Sequence, residues 1–226
     1  DDTVGGLDRF RGVLEREGVG VIPGVEITTA YNGREVHILG YGFDPGHDGL
    51  RSALRTIRRE RNFGFHSALG TLRATLQRQP DGTKQNSTEA GNAPFDCAET
   101  IRLIHDAGGR AILAHPFQLA ADPEELESKL TALKELGLDG IEAYYAPYTP
   151  EQRAVLAEIA RRQGLLAVAG TDFHRMDEPV CDQPGMDVPT PAWKDFRNAL
   201  SGMREPNGTR AYAHEHGAPH RYWMRW

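Results

Sequence analysis

Short apolar runs alternate with amphipathic stretches along most of this chain. Leu7 to Glu17 places Leu7, Phe10, Val13 and Leu14 on one side at helical spacing. The run Val19-Gly-Val-Ile-Pro-Gly-Val-Glu-Ile-Thr-Thr29 reads as a strand with a proline break, and Val36-His-Ile-Leu-Gly-Tyr-Gly-Phe43 as a second. Asn32-Gly33 between them is a tight-turn signal, so the two strands are expected side by side. From Leu50 to about Leu76 the pattern is helical and rich in arginine. Residues 77–94 then turn polar, with little to bury, and read as a mobile loop.

Three cycles of helix and apolar strand follow. Helix 97–107 stops at Gly108-Gly109 and leads into a strand over 110–116. Helix 123–136 and Gly137 lead into Gly140 to Tyr145, and helix 150–163 and Gly164 lead into Leu165 to Asp172. This alternation predicts an α/β protein built on parallel strands. Beyond residue 176 the chain is rich in Pro, Gly and charge, with one helix predicted at 191–200. The end, from Tyr212 to Trp226, holds aromatics and histidines without periodicity.

The chain is long enough, at 226 residues, to bury a sizeable core. Its 26 basic and 32 acidic side chains leave a net charge of −6, so no global field attracts nucleic acid and a small substrate is favoured. Cys97 and Cys181 are the only cysteines and form no CxxC pair. That speaks against a disulfide scaffold and a thiolate zinc site, although one bridge between them is compatible with the sequence. No apolar run approaches the roughly 20 residues that span a bilayer, and Asp1-Asp2 opens no signal pattern. A reduced, cytoplasmic protein without membrane attachment is expected.

The residues that carry chemistry fall within or at the ends of the apolar runs. Glu26 follows Val-Ile-Pro-Gly-Val, and His37 lies inside Glu-Val-His-Ile-Leu-Gly. His115 follows Ala-Ile-Leu-Ala, while Asp172 and His174 close the run Leu-Leu-Ala-Val-Ala-Gly-Thr. Strand carboxyl ends form the active face of parallel barrels and open α/β sheets, so these groups are expected to converge there. Two carboxylates and three imidazoles are the donors that suit zinc, manganese or iron. The competing reading for each histidine is a hydrogen-bonded core residue. Five such groups at strand ends favour a metal centre, because an unpaired buried charge is costly.

Four segments then carry a family resemblance. Pro-Gly-Val-Glu-Ile (23–27), Glu-Val-His-Ile-Leu-Gly-Tyr (35–41), Gly-Gly-Arg-Ala-Ile-Leu-Ala-His-Pro (108–116) and Gly-Thr-Asp-Phe-His (170–174) resemble, in order, motifs of the polymerase and histidinol phosphatase (PHP) family. The likeness is greatest to its stand-alone bacterial phosphoesterases acting on nucleotides or related phosphates. The resemblance implies a distorted (β/α)7 barrel over residues 1–175, with 176–226 an extension that completes or packs on it. It also implies two to three divalent ions (Mn, Zn or Fe) held by Glu26, His37, His115, Asp172 and His174. The implied reaction is phosphoester hydrolysis by a metal-bound hydroxide, with Asp172 or a residue outside the chain assisting proton transfer.

The family pattern begins with His-x-His and Thr-Asp-His-Asp-like segments that this chain lacks. Its first one to two barrel strands are therefore expected to be missing, and the sequence to be part of a longer chain. The polar stretch 77–94 stands where relatives carry a helical insertion.

Arg61, with Arg58 and Arg59, offers a fork for a substrate phosphate, or else a solvated helix face paired with Glu60. His214-Glu-His216 and His220 read as a surface tail, and His66 and His105 as structural or exposed. Tyr144 or Tyr145 would line a pocket or pack in the core. No GxGxxG, Walker or nucleophile-elbow pattern occurs.

The favoured activity is hydrolysis of a phosphomonoester of a small, nucleotide-like metabolite. The alternatives are a cyclic phosphodiesterase, a 5′-3′ exonuclease on short oligonucleotides, or a degenerate barrel kept as a binding module.

Overall fold

A computed structural model describes residues 2–14, 16, 20–60, 95–174, 185–201 and 221–222. The expected loop 77–94, Arg61, His66, Cys181 and the histidines of the tail lie outside the described residues. The elements run α1 (Leu7–Leu14), β1 (Gly24–Tyr31), β2 (Arg34–Tyr41), α2 (48–60) and α3 (Cys97–Asp106). They continue with β3 (Arg110–Leu113), α4 (Pro123–Glu135), β4 (Gly140–Tyr145), α5 (Pro150–Gln163) and β5 (Leu166–Gly170). Last come β6 (Met186–Asp187), α6 (Thr190–Leu200) and β7 (Arg221–Tyr222).

Strands β1 to β5 form one sheet in sequence order. Tyr31 pairs with Arg34, and the linking Asn32 and Gly33 both have positive φ (50° and 75°), as a primed hairpin turn requires. The hairpin expected at Asn32-Gly33 makes the sheet mixed rather than wholly parallel. β2 runs antiparallel to both β1 and β3, and only β3, β4 and β5 are mutually parallel. The physical reason is connection length: two residues can only turn a strand back, whereas a parallel neighbour needs a crossover, supplied after β3 by α4 and after β4 by α5. β6 and β7 form a separate two-stranded ribbon.

The helices begin where their capping chemistry lies. Asp96 and Glu99 form a reciprocal capping box on α3, and Thr149 and Gln152 one on α5. One face of the sheet, with Val25, Ile27, Ile38, Leu113 and Ile141, packs against α2 to α5 in the main core. Helix α4 shows the logic: Leu126, Leu130 and Leu133 recur at helical spacing, and all are fully buried. Each contributes roughly 1.5–3 kcal/mol by leaving water, more than any helix propensity could.

The other face is only partly apolar. Leu39, Tyr41, Ile112, Ala114 and Val168 meet Phe196 and Leu200 of α6, with Trp193 beside them. On this face the sheet also carries Glu26, Thr28 and Glu142, all buried. Strand alternation places them there, since Glu26 pairs with Leu39 and Glu142 with Val168. Between Glu142 and Tyr144 the β4–β5 register slips by one residue. Tyr145 therefore pairs with Gly170, two along from Val168, and shares a face with Glu142.

Candidate metal centre

Glu26 is the third residue of β1, and His37 lies in the middle of β2. His37 lies inside its strand, as its place within Glu-Val-His-Ile-Leu-Gly suggested, whereas Glu26 lies near the start of β1 because that strand runs on to Tyr31. The register opposes Thr28 to His37 and Leu39 to Glu26, so Glu26 and His37 are diagonal neighbours on one face. His37 Nδ1 donates to Glu26 Oε1 at 2.6 Å. His115 follows β3 by two residues, and the ladder extends toward it through a 3.0 Å bond from the Ala114 N–H to the His37 carbonyl. Its Nε2 lies 3.5 Å from the same Glu26 oxygen, and the two imidazoles meet edge to face with centroids 5.1 Å apart.

One carboxylate oxygen is thus caught between two ring nitrogens in a largely buried site. Each of the three residues offers a ligand atom within 4.8 Å of the others. Burial alone would raise the Glu26 pKa, but the hydrogen bonds and charges of His115 and His37 outweigh it and bring it down to about 2. Burial pulls His37 down, yet Glu26 and then Glu35 hold its pKa above the ordinary value. Glu26 is therefore an anion at any physiological pH. Two imidazoles and a carboxylate facing inward are a donor set that fits a divalent ion such as zinc, manganese or iron.

His115 has an unusual backbone, with φ 29° and ψ 64°, and Pro116 after it disfavours the ordinary helical region. Its N–H donates to Glu142 Oε2 at 2.9 Å. Sequence reasoning passed over Glu142, which is 2% exposed. Burial pushes its pKa up, the His115 N–H lowers it, and the Glu26 and Asp172 charges raise it again, to about 8. The available signal was an acid inside the otherwise apolar run Gly-Ile-Glu-Ala-Tyr-Tyr, the same kind that singled out Glu26.

Asp172 and His174 follow β5 and stand outside the three-residue group. Asp172 has φ 51°, and its Oδ2 accepts from the Tyr145 hydroxyl at 2.8 Å. His174 Nδ1 lies 2.9 Å from the Asp172 carbonyl oxygen and 3.3 Å from its Oδ1. Tyr145, packed with its centroid 5.8 Å from that of His115, links this pair to the buried group. Of the five expected ligands, the structure brings three together and holds two beside them. Immediately before Asp172, Thr171 Oγ1 is buried with no hydrogen-bond partner among the described residues.

The start of the chain also reaches this face. The Asp2 N–H donates to the Glu26 carbonyl at 2.8 Å, and its carboxylate accepts from Thr28 N–H and Oγ1 at 2.9 and 3.2 Å. Arg58 and Arg59 are exposed on α2, and Arg58 Nη1 reaches Thr3 Oγ1 at 3.4 Å. Cys97 is a buried free thiol whose pKa burial pushes up to about 12. At the opposite end of the sheet, His105 Nε2 lies 2.7 Å from the Asp139 carboxylate. Among the described residues, no helix is long and apolar enough to cross a membrane.

No family model matches the chain. A phosphoribosyl 1,2-cyclic phosphate 1,2-diphosphodiesterase of Eggerthella lenta is 30% identical over 215 residues, covering 76% of this chain and 80% of its own. A 5′-3′ exoribonuclease of Haemophilus influenzae is 28% identical over 211 residues, with 76% of each chain covered. A 3′,5′-nucleoside bisphosphate phosphatase of Chromobacterium violaceum is 24% identical over 217 residues, covering 78% of this chain and 75% of its own. Two solved structures share the fold. One is an amidohydrolase from Chromobacterium violaceum, with TM-score 0.69 and 20% identity over 88% of this chain and 84% of its own. The other is a protein from Bifidobacterium adolescentis described as a metal-dependent phosphoesterase, with TM-score 0.65 and 22% identity over 88% and 83%.

Proposed function

The chain belongs to the phosphoesterase family of these relatives, and from that premise we propose that it is a PHP-type enzyme hydrolysing a phosphomonoester of a small, nucleotide-like metabolite. The observation that carries the proposal is the buried Glu26 carboxylate oxygen shared between His37 and His115. An ionised carboxylate and two imidazoles, turned inward on a sheet face, make a costly arrangement for packing alone. A divalent ion repays that cost.

Glu26, His37 and His115 would hold one ion, and Asp172 with His174 would complete a site for two to three ions of manganese, zinc or iron. Bound ions of this kind polarise a phosphoryl oxygen and lower the pKa of a water. The chain's own part is to keep Glu26 ionised and both rings aimed inward. Tyr145, donating to Asp172 Oδ2, fixes the orientation of that carboxylate. In this reading residues 1–175 form the PHP barrel and 176–226 its extension. Arg61 would grip the substrate phosphate, and Asp172 is the residue proposed to assist proton transfer.

A diester substrate is the second reading, favoured by relatives named as a cyclic phosphate diphosphodiesterase and a 5′-3′ exoribonuclease. Elemental analysis of the purified protein and hydrolysis assays test both together. The substrates would be a nucleoside 3′,5′-bisphosphate, a ribose cyclic phosphate and a short 5′-phosphorylated RNA. Two or three ions per chain, fewer in His115→Ala, with preferred release of phosphate from the bisphosphate, is the expected result. Preferred cleavage of the cyclic phosphate or RNA selects the second reading. A chain that takes up no manganese or zinc, and cleaves none of the three, is a degenerate binding module.

A further inference from the structure

Strand β4 carries none of the expected ligands, yet it lies between the two strands whose ends supply His115 and Asp172. Because of its register slip, Glu142 and Tyr145 leave the same face and reach in opposite directions. Glu142 accepts from the residue after β3, and Tyr145 donates to the residue after β5. Glu142 is buried, and it stands near two other carboxylates, Glu26 and Asp172. An apolar side chain of its size would pack there at lower cost. Room for its carboxyl is also kept open: a Cβ on Gly170 would overlap Glu142 Oε1 and come within 3.0 Å of its Cδ.

What Glu142 holds is the backbone of His115 at φ 29°, a region that a residue other than glycine rarely adopts. The direction of the ring depends on that backbone. We propose that Glu142 is a positioning residue, whose carboxyl group, seated against Gly170, fixes the His115 main chain so that the imidazole meets Glu26 and His37 in ligand geometry. The inference rests on the metal-centre reading given above.

The test uses the full chain, with cobalt(II) as the probe and its visible absorption as the readout of coordination. Glu142→Met keeps the bulk and removes the acceptor, while Glu142→Gln keeps an oxygen that can accept the His115 N–H. Loss of an outer partner of a metal ligand weakens binding by roughly 10–100-fold. That weakening, with an altered cobalt spectrum, is expected for the Met variant at unchanged fold by circular dichroism. The Gln variant is expected to stay within about threefold of wild type, inside the lower limit of that range. A Met variant that binds cobalt as tightly as wild type, with the same spectrum, overturns the inference and leaves the metal centre standing. Should Glu142→Met fail to fold, the Gln variant decides: a folded Gln variant weakened as much as ten- to a hundredfold shows that accepting the N–H is not the role. A wild-type chain that takes up no cobalt removes the metal centre and this inference together.

Discussion

Adding one methyl group at Gly170 puts the packing behind the site to a direct test. Gly170 does not have the left-handed φ that only glycine tolerates, so alanine is acceptable to the backbone. On that ground alone, Gly170→Ala would stabilise the protein by about 0.4–1 kcal/mol through the unfolded chain. The structure predicts the opposite sign, because the new Cβ overlaps Glu142 Oε1. Overpacking of this kind costs about 1–3 kcal/mol. If Glu142 swings away, the buried His115 N–H loses its acceptor, at a further cost of roughly 1–3 kcal/mol. The net expectation is a loss of about 1–5 kcal/mol. For a chain of this size each kcal/mol lowers Tm by roughly 2–4 °C.

Thermal and urea unfolding with a chelator present measure this without interference from bound ions. The deciding comparison is a double-mutant cycle. In the Glu142→Ala background no carboxyl remains to meet the methyl group, and Gly170→Ala should be neutral or stabilising. A coupling energy of at least about 1 kcal/mol is expected, well beyond the ~0.3–0.5 kcal/mol scatter of independent sites. Equal losses in both backgrounds refute the reasoning.

Two further predictions concern groups away from the Glu26, His37 and His115 cluster. Asp139 is raised by burial but lowered more by His105, the Ala111 N–H and Arg110, so its folded pKa lies below the unfolded value. Its contribution is therefore present above the ordinary carboxylate pKa and disappears as pH falls through the folded one. Asp139→Asn should cost about 1.5–3 kcal/mol at pH 7, and the gap to wild type should close on acidification. A gap of constant size from pH 7 to pH 3 in urea titrations contradicts this. Thr171→Val removes a buried hydroxyl that has no partner among the described residues, and should raise stability by about 1–2 kcal/mol in chelator. A loss in the same unfolding assay shows that the hydroxyl is satisfied in solution.

Much of the element order was legible because each boundary has local chemistry. Asn32-Gly33 set the hairpin, Thr149 and Gln152 started α5, and the Gly108-Gly109 stop ended α3. Strand direction was less legible, because β1 and β2 look like any apolar run and only the two-residue link reverses one of them. Glu26 lies near the start of β1 rather than at its end, since the strand runs on to Tyr31 beyond it. The slip in β4 hid more. Strict alternation sets Glu142 and Tyr144 on one face and Tyr145 on the other, whereas the extra residue pairs Glu142 with Tyr145. No local signal in Gly-Ile-Glu-Ala-Tyr-Tyr marks the slip, and the partner strand decides it. Among the expected ligands, Asp172 and His174 were legible as a pair but not their separation from the inner three.

The tight hairpin has a kinetic consequence. Glu26 and His37 are eleven positions apart (37 − 26), on strands joined by two residues, so their half of the cluster can assemble within the roughly 1–10 μs in which hairpins form. His115 is a further 78 positions along (115 − 37) and reaches them only when β3 docks on β2, a closure that must first bring distant parts of the chain together. An ion captured early would meet one carboxylate and one imidazole, a weak bidentate clip that lets go easily. Tight retention would arrive only once β3 has docked, so slow ion release would report that β2 and β3 have paired.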